Sequence, residues 1–171
     1  MDSETRRSPA RILILLALSL SPYPAALAAD APTAALNVGE MTFAPTPGLP
    51  DCVVNAVVQG DPTTGPSIIL GRIETGCVVP WHWHTPNEHL MIVSGVAELT
   101  MRGGEPKRLE AGGFAMMPSR HVHQFRCVSA CLMYVYSDGI FDTHYVDAGG
   151  KEIPAVQALG AVGEKAVPPP G

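Results

Sequence analysis

Several things are scarce in this 171-residue chain, and each scarcity removes a class of protein. Positive charge is one. Lys and Arg number 11 against 16 Asp and Glu, giving a formal net charge of −5 with neutral histidines, and no basic cluster stands out. Such a chain lacks the electrostatic footprint of a nucleic-acid or anionic-lipid binder. Long apolar runs are scarce too. The N-terminal run Ile12 to Leu20 falls well short of the roughly 20 residues that span a bilayer, so no stable membrane insertion is expected. Only four cysteines occur (Cys52, Cys77, Cys127 and Cys131), and no C-x2-C pairs repeat at zinc-finger spacing. No stretch after residue 28 shows a strong helical period, which argues against a helical bundle. The methionines form no Met-x-x-Met pattern, and no solenoid repeat is present.

The first segment reads as an address. Arg6, Arg7 and Arg11 precede the apolar run, Pro22 and Pro24 break it, and Ala26 and Ala28 suit the positions before a cut. This pattern predicts a signal peptide over 1–28 and export to a periplasmic or extracellular compartment. The domain plan that follows is an N-terminal arm over 29–50, a barrel over 51–150 and a C-terminal tail over 151–171, disordered from Ala161. The arm is Pro-, Ala- and Thr-rich, with one edge strand expected near Ala35 to Phe43. An oxidising compartment permits disulfides. Cys127 and Cys131 bracket a three-residue connection that could place their sulfurs across a hairpin; buried free thiols are the alternative, and connectivity does not follow from sequence.

Between arm and tail, short strand-like runs recur at intervals set by Gly, Pro and Asp. They are 52–59, 67–74, 89–93, 96–102, 107–110, 114–118, 121–127, 131–137 and 141–146. Within 96–102, Ala97, Leu99 and Met101 alternate with Glu98, Thr100 and Arg102, the mark of a half-buried strand. Regular short strands with turn signals predict an all-β sandwich or barrel.

All six histidines fall between positions 82 and 144. His82 and His84 share the parity of one strand and therefore one face. Pro86 permits a short turn that brings Glu88 back toward them. A second pair, His121 and His123, lies on a later strand. Imidazoles among apolar neighbours are costly to charge, and a bound metal resolves that cost. Three imidazole nitrogens and one carboxylate suit Fe(II), Mn(II), Ni(II), Zn(II) or Cu(II).

The first cluster resembles the cupin signature G-x5-H-x-H-x3-E-x6-G at Gly76, His82, His84, Glu88 and Gly95, with every spacing kept. The second resembles the cupin motif G-x5-P-x-G-x2-H at Gly112, Pro118 and His123, with Arg120 where that motif has Gly and Cys127 where it often has Asn. The resemblance covers roughly 69–146. It implies a double-stranded β-helix (jelly-roll) cupin barrel and one divalent transition metal (Zn, Fe, Mn or Ni) held by His82, His84, Glu88 and His123. The segments 83–89, 117–123 and 137–142 are similar to short single-domain cupins related to the cupin half of zinc-dependent anti-sigma factors. The N-terminal zinc-binding half of those proteins has no counterpart here, so their regulatory role does not transfer. Two functions follow as expectations. One is a metal-dependent, oxygenase-type enzyme acting on a small organic molecule. The other is a non-catalytic zinc- or ligand-binding sensor or structural domain. A homodimer through edge strands is compatible with both.

Around this centre, His121 reads as a residue supporting the ligands or substituting for one. His89 should face away from Glu88, and His144 is a further candidate for the pocket. Phe125 shares the parity of His123 and should line the barrel. Tyr134 and Tyr136 read as core residues, with a ligand-binding phenol as the alternative. Met91, Met101, Met116, Met117 and Met133 read as core fillers.

Overall fold

The computed structural model describes residues 35–163. The predicted signal peptide lies outside the described residues, as does the end of the tail. Eleven strands follow a short 3-10 turn at Val38–Glu40. They are β1 (Ala44–Pro45), β2 (Val53–Gly60), β3 (Ser67–Ile73), β4 (Val78–Trp83), β5 (Glu88–Ser94), β6 (Ala97–Met101), β7 (Lys107–Leu109), β8 (Phe114–Met117), β9 (His123–Cys127), β10 (Cys131–Ser137) and β11 (His144–Tyr145); one helix, α1 (Ala155–Gly163), closes the domain. The strands form two antiparallel sheets, one ordered β1-β2-β3-β10-β5-β8 and the other β11-β4-β9-β6-β7. Consecutive strands repeatedly change sheet, as in a jelly roll.

Alternation decides what faces inward. In β10, Cys131, Met133, Val135 and Ser137 are buried while Leu132, Tyr134 and Tyr136 are only half-buried. Leu90 and Ile92 of β5, Leu99 of β6 and Phe125 of β9 meet them between the sheets. Each such side chain contributes roughly 1.5–3 kcal/mol by leaving water. Tyr134 and Tyr136 thus lie on the outer face, opposite Met91 and His89, so the reading of both as core residues is corrected. The methionines divide likewise: Met117 and Met133 are core, whereas Met91 and Met116 are exposed on the outer face.

The structure departs from the sequence reading at both ends of the domain. The expected strand at 35–43 is a 3-10 turn, capped by Asn37 and Glu40, and pairing begins only at the two-residue β1. Residues 151–163 are not free tail. Glu152 bridges to Val146, and α1 packs on β4 and β11, with Ala158 buried and Ile153, Ala155 and Leu159 half-buried. The helix has nine residues, short for a periodic pattern to stand out, and tertiary packing rather than propensity holds it.

Both cysteine pairs are disulfides, Cys52–Cys77 and Cys127–Cys131. The second does not cross a hairpin, because β9 and β10 belong to different sheets. It fastens the point where the chain passes from one sheet to the other. Cys77 and Cys127 are joined through the backbone, Cys127 N donating to Cys77 O at 3.0 Å, so the two disulfides are neighbours. Gly95, the last glycine of the first motif, has φ +86°, and a Cβ there would lie 2.0 Å from the Ala130 carbonyl oxygen. Both the turn and this approach require glycine.

Candidate metal centre

Four buried polar side chains meet inside the barrel. His82 is 4% exposed, His84 5%, Glu88 6% and His123 1%, among mostly apolar neighbours. His82 stands opposite His123 in the β4–β9 pairing. Its inward direction depends on a bulge. Val79 pairs with Phe125 and His82 with His123, so β4 spends three residues where β9 spends two. Without the extra residue, His82 would have the opposite parity to buried Val79 and point outward. Pro80 lies within the irregular stretch, where proline's missing N–H is tolerated.

Glu88 arrives from the other sheet. The segment after β4 crosses at Thr85-Pro86-Asn87, and Glu88 is the first residue of β5, paired with Met117 and Ser137. It therefore faces the histidines across the barrel rather than returning beside them. Its Oε2 lies 3.3 Å from His84 Nε2 and 3.2 Å from His123 Nε2. The ligand nitrogens of His82, His84 and His123 lie within 4.8 Å of one another.

The outer nitrogens are fixed. His82 Nδ1 bonds the Pro80 carbonyl at 2.6 Å, His123 Nδ1 bonds the His121 carbonyl at 2.9 Å, and His84 Nδ1 bonds the Asp142 carbonyl. A carbonyl only accepts, so each Nδ1 carries a proton and each Nε2 faces the cavity, where it offers a lone pair when the ring is neutral. His84 Nε2 and Glu88 Oε2 are buried with no hydrogen-bond partner in the protein. Unsatisfied buried donors and acceptors are rare and costly, and this set is what a divalent transition metal takes up. The residues present fit such an ion.

The electrostatics differ from residue to residue. Burial, reinforced by His123 and His84, holds His82 well below its ordinary pKa, which favours the neutral ring. For Glu88, burial opposes ionisation but His84 and His123 outweigh it, and the pKa is lowered. Burial likewise opposes charge on His84, yet the Glu88 carboxylate prevails and raises its pKa. The cavity therefore keeps a carboxylate ionised in an apolar setting.

The residues around the centre fall into place by backbone path. Arg120, standing where the second motif has Gly, takes φ 61°. Its N–H donates to the His84 carbonyl at 2.8 Å. The turn it makes ends the parity of the preceding residues, so β9 begins at His123 and the His121 side chain is exposed. His121 contributes its carbonyl to His123 and is not a ligand by position. His144 also lies outside the cavity. It stacks on Trp83 at 3.9 Å and bonds Asp142 and Glu152, while Thr143, of the opposite parity, lines the cavity. Phe125 lines it as expected. His89 faces outward near Tyr136 and Phe114.

The segments 83–89, 117–123 and 137–142 interlock at this end. Asp142 accepts from Thr85 N at 2.7 Å and Thr85 Oγ1 at 2.5 Å, Asp138 accepts twice from Asn87, and Ser119 N donates to Asn87 Oδ1 at 2.9 Å. Sequence reasoning missed Phe141, whose ring stacks on His84 at 4.5 Å, and Asn55, Thr143 and Leu49, which line the cavity. Asp142 follows Phe141 directly, and its place beside the conspicuous Asp138-Gly139 turn was the available signal.

The two sheets form a jelly-roll barrel of the cupin fold. The sequence profile of the Cupin domain family matches residues 69–136, which include three of the four clustered side chains from the first motif and His123 from the second. A search of curated proteins finds no match. Among solved structures, an RmlC-like cupin protein from Ralstonia eutropha JMP134 is similar at TM-score 0.58 and 16% identity, covering 82% of this chain and 93% of its own. An acetylacetone dioxygenase from Acinetobacter johnsonii is similar at TM-score 0.56 and 17% identity, covering 80% and 93%. An RmlC-like cupin from Shewanella frigidimarina NCIMB 400 follows at TM-score 0.52 and 14% identity, covering 60% and 87%. At these identities the likeness concerns the fold.

Proposed function

We propose that this protein is an exported, mononuclear metal cupin that performs oxygenase-type chemistry on a small organic molecule. One observation carries the reading: four buried donors from both sheets converge, each histidine oriented by a backbone carbonyl, with His84 Nε2 and Glu88 Oε2 left without protein partners. His82, His84, Glu88 and His123 would hold the ion. When bound, Fe(II), Mn(II) or Ni(II) would supply Lewis acidity and reactivity toward dioxygen.

The chain's own residues supply the rest. Val79, Leu90, Phe125, Val135 and Phe141 exclude water from the reacting atoms. Glu88, the anionic donor, would be able to take a proton from an acidic C–H or O–H of the substrate once its carboxylate is released from the ion. Among the described residues, the cavity lining contains no Lys or Arg to pair with an anionic substrate. The similarity to a protein described as an acetylacetone dioxygenase supports a small oxygen-bearing molecule over a polymer. Export is supported by the two disulfides, and the subgroup related to anti-sigma cupins by the interlocking of the three segments that resemble it. The exposed Phe114 and Met116 on β8, an edge strand, support a homodimer.

A second reading has its own observation. His82, His84 and His123, with Glu88 beside them, are a donor set that would hold zinc through four protein ligands, as a sensor or structural site would. The metal decides between them. Protein recovered from its own exported compartment is expected to contain iron, manganese or nickel, and the anaerobically reconstituted form is expected to consume O2 with small phenols, thiols or 1,3-dicarbonyls. Resident zinc, with no O2 uptake in any metal form, would establish the second reading instead.

A further inference from the structure

The cavity beside the histidines has a volume of about 60 Å³. An aromatic ring does not fit such a space, since benzene occupies engineered cavities of roughly 150 Å³. Something in the wall must move for an organic molecule to enter. A larger groove of about 630 Å³ lies at the seam where the loop before β2 meets the start of β4. These two strands belong to different sheets and do not pair. Pro50, Asp51, Glu74, Val78 and Leu159 line that groove. Among the described residues, Leu49 is the residue that lines both the groove and the cavity.

We propose that Leu49 is the gate between groove and cavity, and that its size sets which small uncharged molecules reach the histidines. The gate concerns a substrate only if the cavity is the reacting site, the reading given above.

The frame around Leu49 is fixed. Tyr145 OH, buried and with its pKa raised by burial to about 12, donates to the Gly48 carbonyl at 2.8 Å. Asn55 Nδ2 donates to Thr46 Oγ1 at 3.0 Å, and Leu49 N donates to the Thr46 carbonyl at 3.1 Å. Gly48 sits at φ +82°, a conformation glycine adopts without strain. Pro47 and Pro50 stiffen the peptide on either side, and the Cys52–Cys77 disulfide holds the loop's exit against the residue preceding β4. The backbone is thus braced, while the Leu49 side chain is only half-buried against the core. Among the described residues, the groove wall carries Asp51 and Glu74 and no Lys or Arg, which disfavours anions on this path.

Access is measured on the full chain, without metal, with the uncharged reagent diethyl pyrocarbonate and peptide mass spectrometry. Exposed His121 is the internal reference. Carbethoxylation of His82, His84 and His123 is expected to rise about tenfold or more in Leu49→Ala and to fall below wild type in Leu49→Trp, with His121 unchanged. Phe141→Ala, which opens the rival route beside His84, should change these rates less than about twofold. A general loss of folding would speed modification in both Leu49 variants, so the opposite signs separate gating from unfolding. The gate is overturned if Leu49→Ala leaves the cavity histidines at the wild-type rate, or if Phe141→Ala gives the larger increase. Co(II) titration of the same proteins, followed by visible absorption, tests the metal reading separately. Failure of wild type to bind Co(II) overturns that reading while the access result stands; Co(II) binding with access indifferent to Leu49 overturns the gate alone.

Discussion

Replacing Asp142 by alanine removes a carboxylate that touches no proposed ligand with its side chain yet should weaken the metal centre. Asp142 holds Thr85 through N and Oγ1 and bonds His144 Nε2 at 3.0 Å, while its own carbonyl accepts a hydrogen bond from His84 Nδ1. Cutting the side chain frees the segment carrying both His84 and Thr85 from the one carrying that carbonyl. A hydrogen bond to a charged group contributes about 1.5–3 kcal/mol. The Asp142 side chain is 34% exposed, so solvent screening reduces the loss to about 1–2 kcal/mol for the set. That corresponds to a fall of roughly 3–8 °C in Tm. Disturbing the partner that orients a ligating histidine typically costs about 10–100-fold in metal affinity. Asp142→Asn, whose amide oxygen still accepts from Thr85 N, should recover most of that affinity. Zinc titration against a chromophoric chelator, with calorimetric Tm on the same samples, gives both numbers. The reasoning fails if Asp142→Ala unfolds at the lower temperature but binds zinc within about twofold of wild type, because the hydrogen bond to His84 would then be independent of the carboxylate.

Other outcomes follow from the same contacts. For His144, burial opposes charge but the bonds to Glu152 and Asp142 prevail and raise its pKa. Its contribution to stability is therefore complete below the ordinary histidine range and lost as pH rises through the raised value. His144→Phe keeps the stack on Trp83 and removes the proton, so the Tm gap to wild type should narrow from pH 6 to pH 9; a constant gap would refute this. Arg120 combines a left-handed φ with a guanidinium 4.7 Å from the Trp83 ring centroid. Arg120→Gly relieves about 1 kcal/mol of backbone strain and loses a comparable stacking term, so it should match wild type in urea unfolding while Arg120→Ala is less stable by about 0.5–1 kcal/mol. Closing 25 residues of separation rather than 4, the Cys52–Cys77 bridge should contribute about 3.5 kcal/mol and Cys127–Cys131 about 2 kcal/mol by chain entropy. Unfolding of the two double-alanine variants would show the opposite order if strain or residual structure dominates.

Much of the site was legible because its chemistry is local in sequence. His82, His84 and Glu88 lie within seven residues, and the strand period sets their faces. The bulge at Pro80–Trp81 was not legible, although it decides that His82 points inward. His121 shows the opposite failure. Parity alone places it beside His123, but Arg120 supplies the motif's left-handed turn without being glycine, and β9 starts later than the apolar pattern suggests. Tyr134 and Tyr136 were misplaced because a strand's two faces both looked apolar, with Met133 and Val135 between them. The contacts of Asp142, Phe141 and Leu49 come from residues distant in sequence, and no spacing rule reports them. The helix at 155–163 was hidden for the same reason: its stability comes from the sheet beneath it.

The central claim is that His82, His84, Glu88 and His123 hold one metal ion. Elemental analysis of wild type, His123→Ala and His121→Ala, each stripped with chelator and then dialysed against the same divalent metal, tests it most directly. One equivalent is expected in wild type and in His121→Ala, and none in His123→Ala. Retention of a full equivalent by His123→Ala, or its loss in His121→Ala alone, would contradict the assignment.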